Sequence, residues 1–185
     1  MGMSRVIALV LLICCFPLFI VFAMIILLED GWPVLFIHER AGLNGEPFKI
    51  YKFRTMSLDA PLKASNRIKT TDSYVLKSGK WLRRLSIDEW PNLINIIKGD
   101  MNFIGPRPVI LSEKKLLKLR HSYGIDSQKP GITGYAQING RDLMSIERKL
   151  VLERYYLYHK NNLWLNFRIL VKTIKIVIRS KGVRF

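Results

Sequence analysis

The chain has 185 residues, with 30 Lys and Arg against 14 Asp and Glu, so its formal net charge is +16, while 49% of its residues are hydrophobic. This hydrophobic content excludes a disordered basic tail, and two cysteines are too few for a secreted disulfide scaffold. The length suits one domain with a core. The surplus positive charge indicates an anionic partner, which composition leaves open between nucleic acid, acidic lipid and a phosphorylated substrate.

The first predicted element is an uninterrupted apolar run from Val6 to Leu28. As a helix, its 23 residues would reach about 35 Å, which exceeds a hydrocarbon core of about 30 Å. A cleaved signal peptide is less favoured, because only Arg5 marks a basic start and no Ala-x-Ala type site follows. We interpret Cys14 and Cys15 as small apolar fillers of this segment. The positive-inside rule places the basic remainder of the chain in the cytoplasm.

Pro17 lies at the centre of this run, so we expect the helix to bend near Phe16. Two topologies follow, a kinked helix that crosses the membrane or a re-entrant helix that breaks and returns to the same face. The proline alone favours crossing, because membrane helices tolerate proline. The charge of Arg5 favours the re-entrant form.

The following segments predict a mainly helical α+β domain with a small β-hairpin. The hairpin strands are Val34 to Ile37 and Phe48 to Phe53, separated by turn residues, and residues 57–78 form a polar loop. Pattern and capping signals predict helices at 81–85, 92–98, 110–123 and 144–160, with a loop at 130–135.

The last segment has the spacing of an amphipathic helix with a separate basic stripe. This pattern fits the plane of an acidic membrane surface as well as a core-packing helix with a solvated face. The apolar run at the start of the chain favours membrane contact. The apolar positions are Phe167, Leu170, Val171, Ile174, Val177 and Ile178, and the basic ones are Arg168, Lys172, Lys175 and Arg179.

Asp88 and Glu89 form an adjacent acidic pair inside a basic region. The ordinary explanation is structural, with Asp88 as a helix N-cap and Glu89 in the first helical turn. The neighbouring residues favour a second explanation. Carboxylates among phosphate-binding cations suit phosphoryl transfer, in which one carboxylate acts as nucleophile or base and another holds Mg²⁺.

Several basic residues are candidates for binding phosphate. Arg107 lies between two prolines in Gly105-Pro106-Arg107-Pro108, and its planar guanidinium can bind phosphate through two hydrogen bonds. Arg141 ends a glycine-containing turn. The sequence contains no Walker loop, and its scattered histidines disfavour zinc. Further candidates are Lys49, Lys52 and Arg54.

Three stretches together resemble one family, the bacterial sugar transferases, also called monotopic phosphoglycosyl transferases. They are FKIYKFRTM (48–56), LRRLSIDEWPNLINIIKGDMNFIGPRP (82–108) and KPGITGYAQINGR (129–141), in the order that the family has. The resemblance covers nearly the whole chain, and the length matches the family's small catalytic core. It implies transfer of a phosphosugar from a UDP-sugar to a polyprenyl phosphate, such as undecaprenyl phosphate, with release of UMP. The sequence does not indicate which sugar is transferred.

By this resemblance, Asp88 attacks the phosphorus that bears the sugar and forms an aspartyl phosphosugar intermediate. Glu89 is the partner carboxylate that holds Mg²⁺, together with Asp88 or alone. The cations that match positions used around phosphate or nucleotide are Lys52, Arg83, Arg107 and Arg141.

The resemblance also implies a re-entrant membrane helix over residues 1–31, broken at Pro17, and a membrane-associated catalytic domain over 32–185. This implication replaces the membrane-crossing helix that Pro17 alone favours. The chain has Phe16 where family members often carry serine before the proline. The implied location is the cytoplasmic face of the bacterial inner membrane, with acidic lipids as partners and a homodimer as an open alternative.

Two other functions remain as alternatives. A membrane-tethered nucleic-acid-binding module would account for the net charge, but no helix-turn-helix, RNP or zinc pattern is present, so nucleic acid is not expected as a partner. An inactive anchor that organises other proteins would tolerate loss of Asp88, Glu89 and Arg107 together.

Overall fold

The computed structural model describes residues 2–60, 73–140 and 144–179. Within these ranges the fold is mainly helical with one three-stranded and one two-stranded sheet, which confirms the predicted class. The helices are α1 (Met3–Asp30), α2 (Lys77–Arg84), α3 (Leu93–Lys98), α4 (Lys114–Ser122), α5 (Tyr135–Ile138), α6 (Ile146–His159) and α7 (Leu163–Ile178). The strands are β1 (Leu35–Ala41), β2 (Pro47–Phe53), β3 (Asn102–Ile104), β4 (Val109–Ile110) and β5 (Gly131–Thr133).

Of the described helices, α1 is the one long and apolar enough to cross a membrane. Pro17 lies inside α1 without dividing it. The predicted break, and the return of the chain to the same membrane face, therefore stay predictions.

One face of α1 packs against the rest of the chain near both of its ends. Ala8 joins a buried cluster with Ile96 of α3, and Ile26 joins a second cluster with Phe53 of β2. Beyond Ala8, the guanidinium of Arg5 lies against Gly99. The opposite face of α1 exposes apolar side chains, among them Val10, Ile13, Phe16, Ile20, Val21 and Leu28.

Strands β1 and β2 form the predicted hairpin, in a register that opposes Phe36 to Lys52. β4 pairs with the other edge of β1, so β1 is the central strand. Opposed residues of an antiparallel pair share a face, and successive residues alternate between faces. Lys52 therefore points to one side of the hairpin, whereas Lys49 points to the other, where it is exposed.

The predicted helices are present, with shifted ends. The helix predicted at 81–85 is α2, which begins earlier, and the helix predicted at 92–98 is α3, which ends as expected before a left-handed Gly99 (φ 94°). The helix predicted at 110–123 is α4, which begins four residues later because β4 and a turn occupy that stretch. The helix predicted at 144–160 is α6.

The predicted loop at 130–135 is wrong in part, because it contains β5, which pairs in parallel with β3. The two strands meet where Gly105 and Gly131 bring their backbones together, and a Cβ at Gly131 would lie 2.1 Å from the nitrogen of Gly105. The turn-forming residues hid this pairing, since glycine is here required by close backbone approach and not by a turn.

The predicted C-terminal amphipathic helix is α7, and its apolar stripe is exposed. Phe167, Ile174 and Ile178 have exposed fractions of 55%, 59% and 72%. A different face, which contains the fully buried Ile169, packs against Tyr156 of α6. The stripe therefore does not serve as the core-packing face that the sequence left open.

Candidate active site

The acidic pair lies in a short 3-10 helix, Ile87–Asn92, which leads directly into α3. The residue that caps this helix is Ser86, in the left-handed conformation (φ 55°), and both acidic residues lie in the first turn. The interpretation of Asp88 as an N-cap is therefore wrong, because Ser86 occupies that position. Both carboxylates are therefore carried by one short helical turn.

Glu89 is held by two cations from different parts of the fold. Its Oε1 accepts a hydrogen bond from Lys52 Nζ at 2.6 Å and one from Arg107 Nη2 at 3.1 Å. The Glu89 side chain is only 16% exposed. Burial by itself would raise the pKa of Glu89, but the charges and hydrogen bonds of Arg107 and Lys52 lower it well below its usual range. Glu89 is therefore ionised at neutral pH.

The pKa of Asp88 is shifted in the opposite direction to that of Glu89. Burial and the adjacent negative charge of Glu89 raise the pKa of Asp88 to about 6, and Lys52, Arg83 and Arg107 oppose the rise. Asp88 is thus mostly ionised at neutral pH, yet its carboxylate is more basic than an ordinary aspartate. Two neighbouring carboxylates with pKa values pushed apart are typical of a catalytic pair with separate roles.

Arg83 approaches the pair from the last turn of α2. Its Nε donates to Thr55 Oγ1 at 2.8 Å, and its positive charge acts on Asp88. Burial lowers the pKa of Arg83, and the charge of Asp88 opposes that effect. α2 lies close against the end of the hairpin, since a Cβ at Gly79 would be 2.3 Å from the carbonyl oxygen of Thr55. This close packing sets the position of Arg83.

Arg54 is not part of the phosphate site. Its guanidinium donates to the carboxylate of Asp30 and to the carbonyls of Asp30, Gly31 and Pro33. Arg54 therefore joins the end of α1 to the end of β2. Lys49 is also excluded, because the strand pleat directs it away from the acidic pair.

Three of the four predicted cations, Lys52, Arg83 and Arg107, surround the acidic pair. Arg141 lies outside the described residues. The sequence reasoning missed Arg40, whose buried Nε has no hydrogen-bond partner and on which the charges of Arg107 and Glu89 act. Its position in β1, on the same face as Lys52, is the signal that would have indicated it.

The acidic pair fits Mg²⁺ only in combination with a substrate. Among the residues that the structure describes, no three His, Cys, Asp or Glu side chains come together as a metal site. Mg²⁺ usually binds one or two protein carboxylates and completes its shell with substrate phosphates and water. Asp88 and Glu89 supply this minimum.

Lys52 of the first motif and Arg83 and Arg107 of the second surround the acidic pair. This arrangement agrees with the comparison to known proteins. The family model for bacterial sugar transferases matches residues 2–180. The chain belongs to this family. The match includes the long apolar helix α1, and this bacterial sugar transferase is a membrane-associated protein.

Individual relatives agree with this assignment. The chain is 38% identical over 178 residues to the sugar transferase EpsL of Bacillus subtilis, covering 96% of this chain and 86% of the relative. It is 37% identical over 183 residues to the undecaprenyl-phosphate glucose phosphotransferase of Komagataeibacter xylinus, covering 93% of this chain and 34% of the relative. It is 34% identical over 173 residues to the undecaprenyl-phosphate galactose phosphotransferase of Salmonella typhimurium, covering 83% and 35%. This sugar transferase thus spans about a third of the latter two proteins.

Proposed function

We propose that the protein transfers a phosphosugar from a UDP-sugar to undecaprenyl phosphate and releases UMP. The observation that carries the proposal is the geometry of the acidic pair, in which Lys52 and Arg107 donate to Glu89 at 2.6 and 3.1 Å directly beside Asp88. The raised pKa of Asp88 agrees with it. The names of the Komagataeibacter and Salmonella relatives support undecaprenyl phosphate as the acceptor. Which sugar is transferred differs between these relatives.

In the proposed reaction, a carboxylate oxygen of Asp88 attacks the phosphorus that bears the sugar. The bond between that phosphorus and the oxygen of UMP breaks, and UMP leaves with the electron pair. An oxygen of undecaprenyl phosphate then attacks the same phosphorus, which frees the Asp88 carboxylate. Arg83 and Arg107 would stabilise the negative charge on the phosphoryl oxygens, since guanidinium groups bind phosphate through paired hydrogen bonds.

Glu89, with Asp88, would hold Mg²⁺ against the diphosphate. The ion supplies charge neutralisation to the phosphate oxygens when bound. Lys52 and Arg107 keep Glu89 ionised, as a metal ligand must be.

The test uses purified protein in detergent with Mg²⁺ and a panel of UDP-sugars. We expect UMP release before any undecaprenyl phosphate is added, in an amount close to one per protein, with covalent labelling at Asp88. Asp88→Asn should abolish both, whereas Asp59→Asn, which changes an exposed carboxylate outside the site, should change neither. Full phosphosugar transfer by the Asp88→Asn variant would refute the assignment of Asp88 as the nucleophile.

We also propose that both ends of α1 lie on the cytoplasmic side of the inner membrane. Arg5 at one end lies against Gly99, and Asp30 at the other end binds Arg54, so one domain contacts both ends. A crossing helix would place these ends on opposite sides of about 30 Å of hydrocarbon. The exposed apolar faces of α1 and α7 would then enter one leaflet, and the basic stripe of α7 would face acidic lipids.

Cysteine labelling tests this topology in a background that lacks Cys14 and Cys15. Probes at Gly2 and Trp32 should both react only from the cytoplasmic side. Labelling of the Gly2 probe from outside would establish a crossing helix.

A further inference from the structure

We infer that the buried ion pair between Arg120 and Glu153 is a positioning device for Arg107, an inference that rests on the proposed function. Arg120 of α4 donates from Nε and Nη2 to the two carboxylate oxygens of Glu153 of α6, at 2.9 and 2.5 Å. Its Nη1 donates to the backbone carbonyl of Arg107 at 2.9 Å. One guanidinium thus connects two helices to one peptide of the active-site loop.

The pair is costly if its role is only to hold the helices together. The side chains of Arg120 and Glu153 are 6% and 2% exposed, and desolvation of such a pair can exceed its Coulombic gain. α4 and α6 already share an apolar cluster that includes Leu116 and Leu150. An apolar pair would serve packing as well, but it could not donate a hydrogen bond to Arg107.

The contact with Arg107 completes the fixation of the loop backbone. Ahead of Arg107, the nitrogen of Gly105 donates to the carbonyl of Thr133, and the nitrogen of Gly131 donates to the carbonyl of Pro106, both at 2.9 Å. Arg120 holds the next carbonyl, that of Arg107 itself. Because the backbone is held on both sides of Arg107, the Arg107 side chain is positioned to donate to Glu89.

The test replaces the ion pair by the double substitution Arg120→Met and Glu153→Met. Buried ion pairs replaced by apolar residues of similar volume often leave stability unchanged or improve it, so the thermal unfolding midpoint should be at least maintained. We expect kcat/KM for UMP release to fall about 10- to 100-fold, because catalytic groups displaced by about 1 Å lose that much rate. Glu153→Gln, which preserves the shape of the pair, is a second variant with a smaller expected loss.

The matched control is the 2.7 Å contact between Asp126 and His121, in which His121 belongs to the last turn of the same α4 and is 82% exposed. Asp126→Asn should leave kcat/KM unchanged. A double-mutant cycle identifies the route of the effect: in an Arg107→Met background, the Arg120→Met and Glu153→Met pair should add no further loss. An equal loss in that background would overturn the inference.

Hydrogen–deuterium exchange provides a readout that does not depend on activity. The double variant should exchange faster in the peptide that covers residues 103–110, with α4 and α6 still protected. Unchanged exchange in that peptide would overturn the inference whatever the activity. A wild-type protein that releases no UMP from any UDP-sugar would instead refute the proposed function, and the exchange result would still decide the role of the pair.

Discussion

Replacing Gly105 by alanine tests whether the reaction rate depends on the position of the loop before Arg107. A Cβ at this position would lie 2.5 Å from the carbonyl oxygen of Lys129 and 2.8 Å from the nitrogen of Gly131. Ordinary contact begins near 3.4 Å, so the loop must move by about 0.9 Å, since both obstructing atoms are backbone. A displacement of about 1 Å can cost about 100-fold in rate, and overpacking costs about 1–3 kcal/mol of stability.

The assay measures UMP release over a range of UDP-sugar concentrations, with thermal unfolding in the same detergent. We expect Gly105→Ala to remain folded and to lose about 10- to 100-fold in kcat/KM, because the loop is displaced by about 1 Å. Gly2→Ala is the control, because a Cβ at Gly2 would have nothing within 4 Å. A folded Gly105→Ala protein with wild-type kcat/KM would refute the reasoning.

The remaining predictions concern pH and stability. Because Asp88 has a pKa of about 6 and only its ionised form attacks, kcat/KM should fall about tenfold per pH unit below that value in a pH–rate profile. Lys52→Met removes a charge that lowers the pKa of Asp88, so the acid limb should move to higher pH, and an unmoved limb would contradict the coupling. Leu82→Ala, at a fully buried position, should cost about 2–5 kcal/mol in the free energy of unfolding. Arg54→Met should lower the free energy of unfolding by about 3 kcal/mol, because it leaves Asp30 without its buried partner. Thermal unfolding in detergent measures this loss.

The local elements and much of the site could be predicted from the sequence. The hairpin, α3 with Gly99 after it, and α7 follow from patterns of period two and 3.6 and from one capping residue. β5 could not be predicted, because its three residues lie among glycines and prolines and its partner strand is distant in the chain. The exposure of the apolar stripe of α7 also depended on packing, since periodicity places residues on a face without saying what covers that face.

The sequence by itself determined the chemistry available: an acidic pair, a surplus of cations, an apolar segment and three motifs typical of one family. Only the tertiary structure decided which cations serve the pair. Lys52 and Arg54 are two residues apart, yet one binds Glu89 and the other binds Asp30 at the end of α1. The reason is that a side chain's partner depends on what packs against its position, and the contacts that fix Glu89 join residues 37 and 18 positions apart.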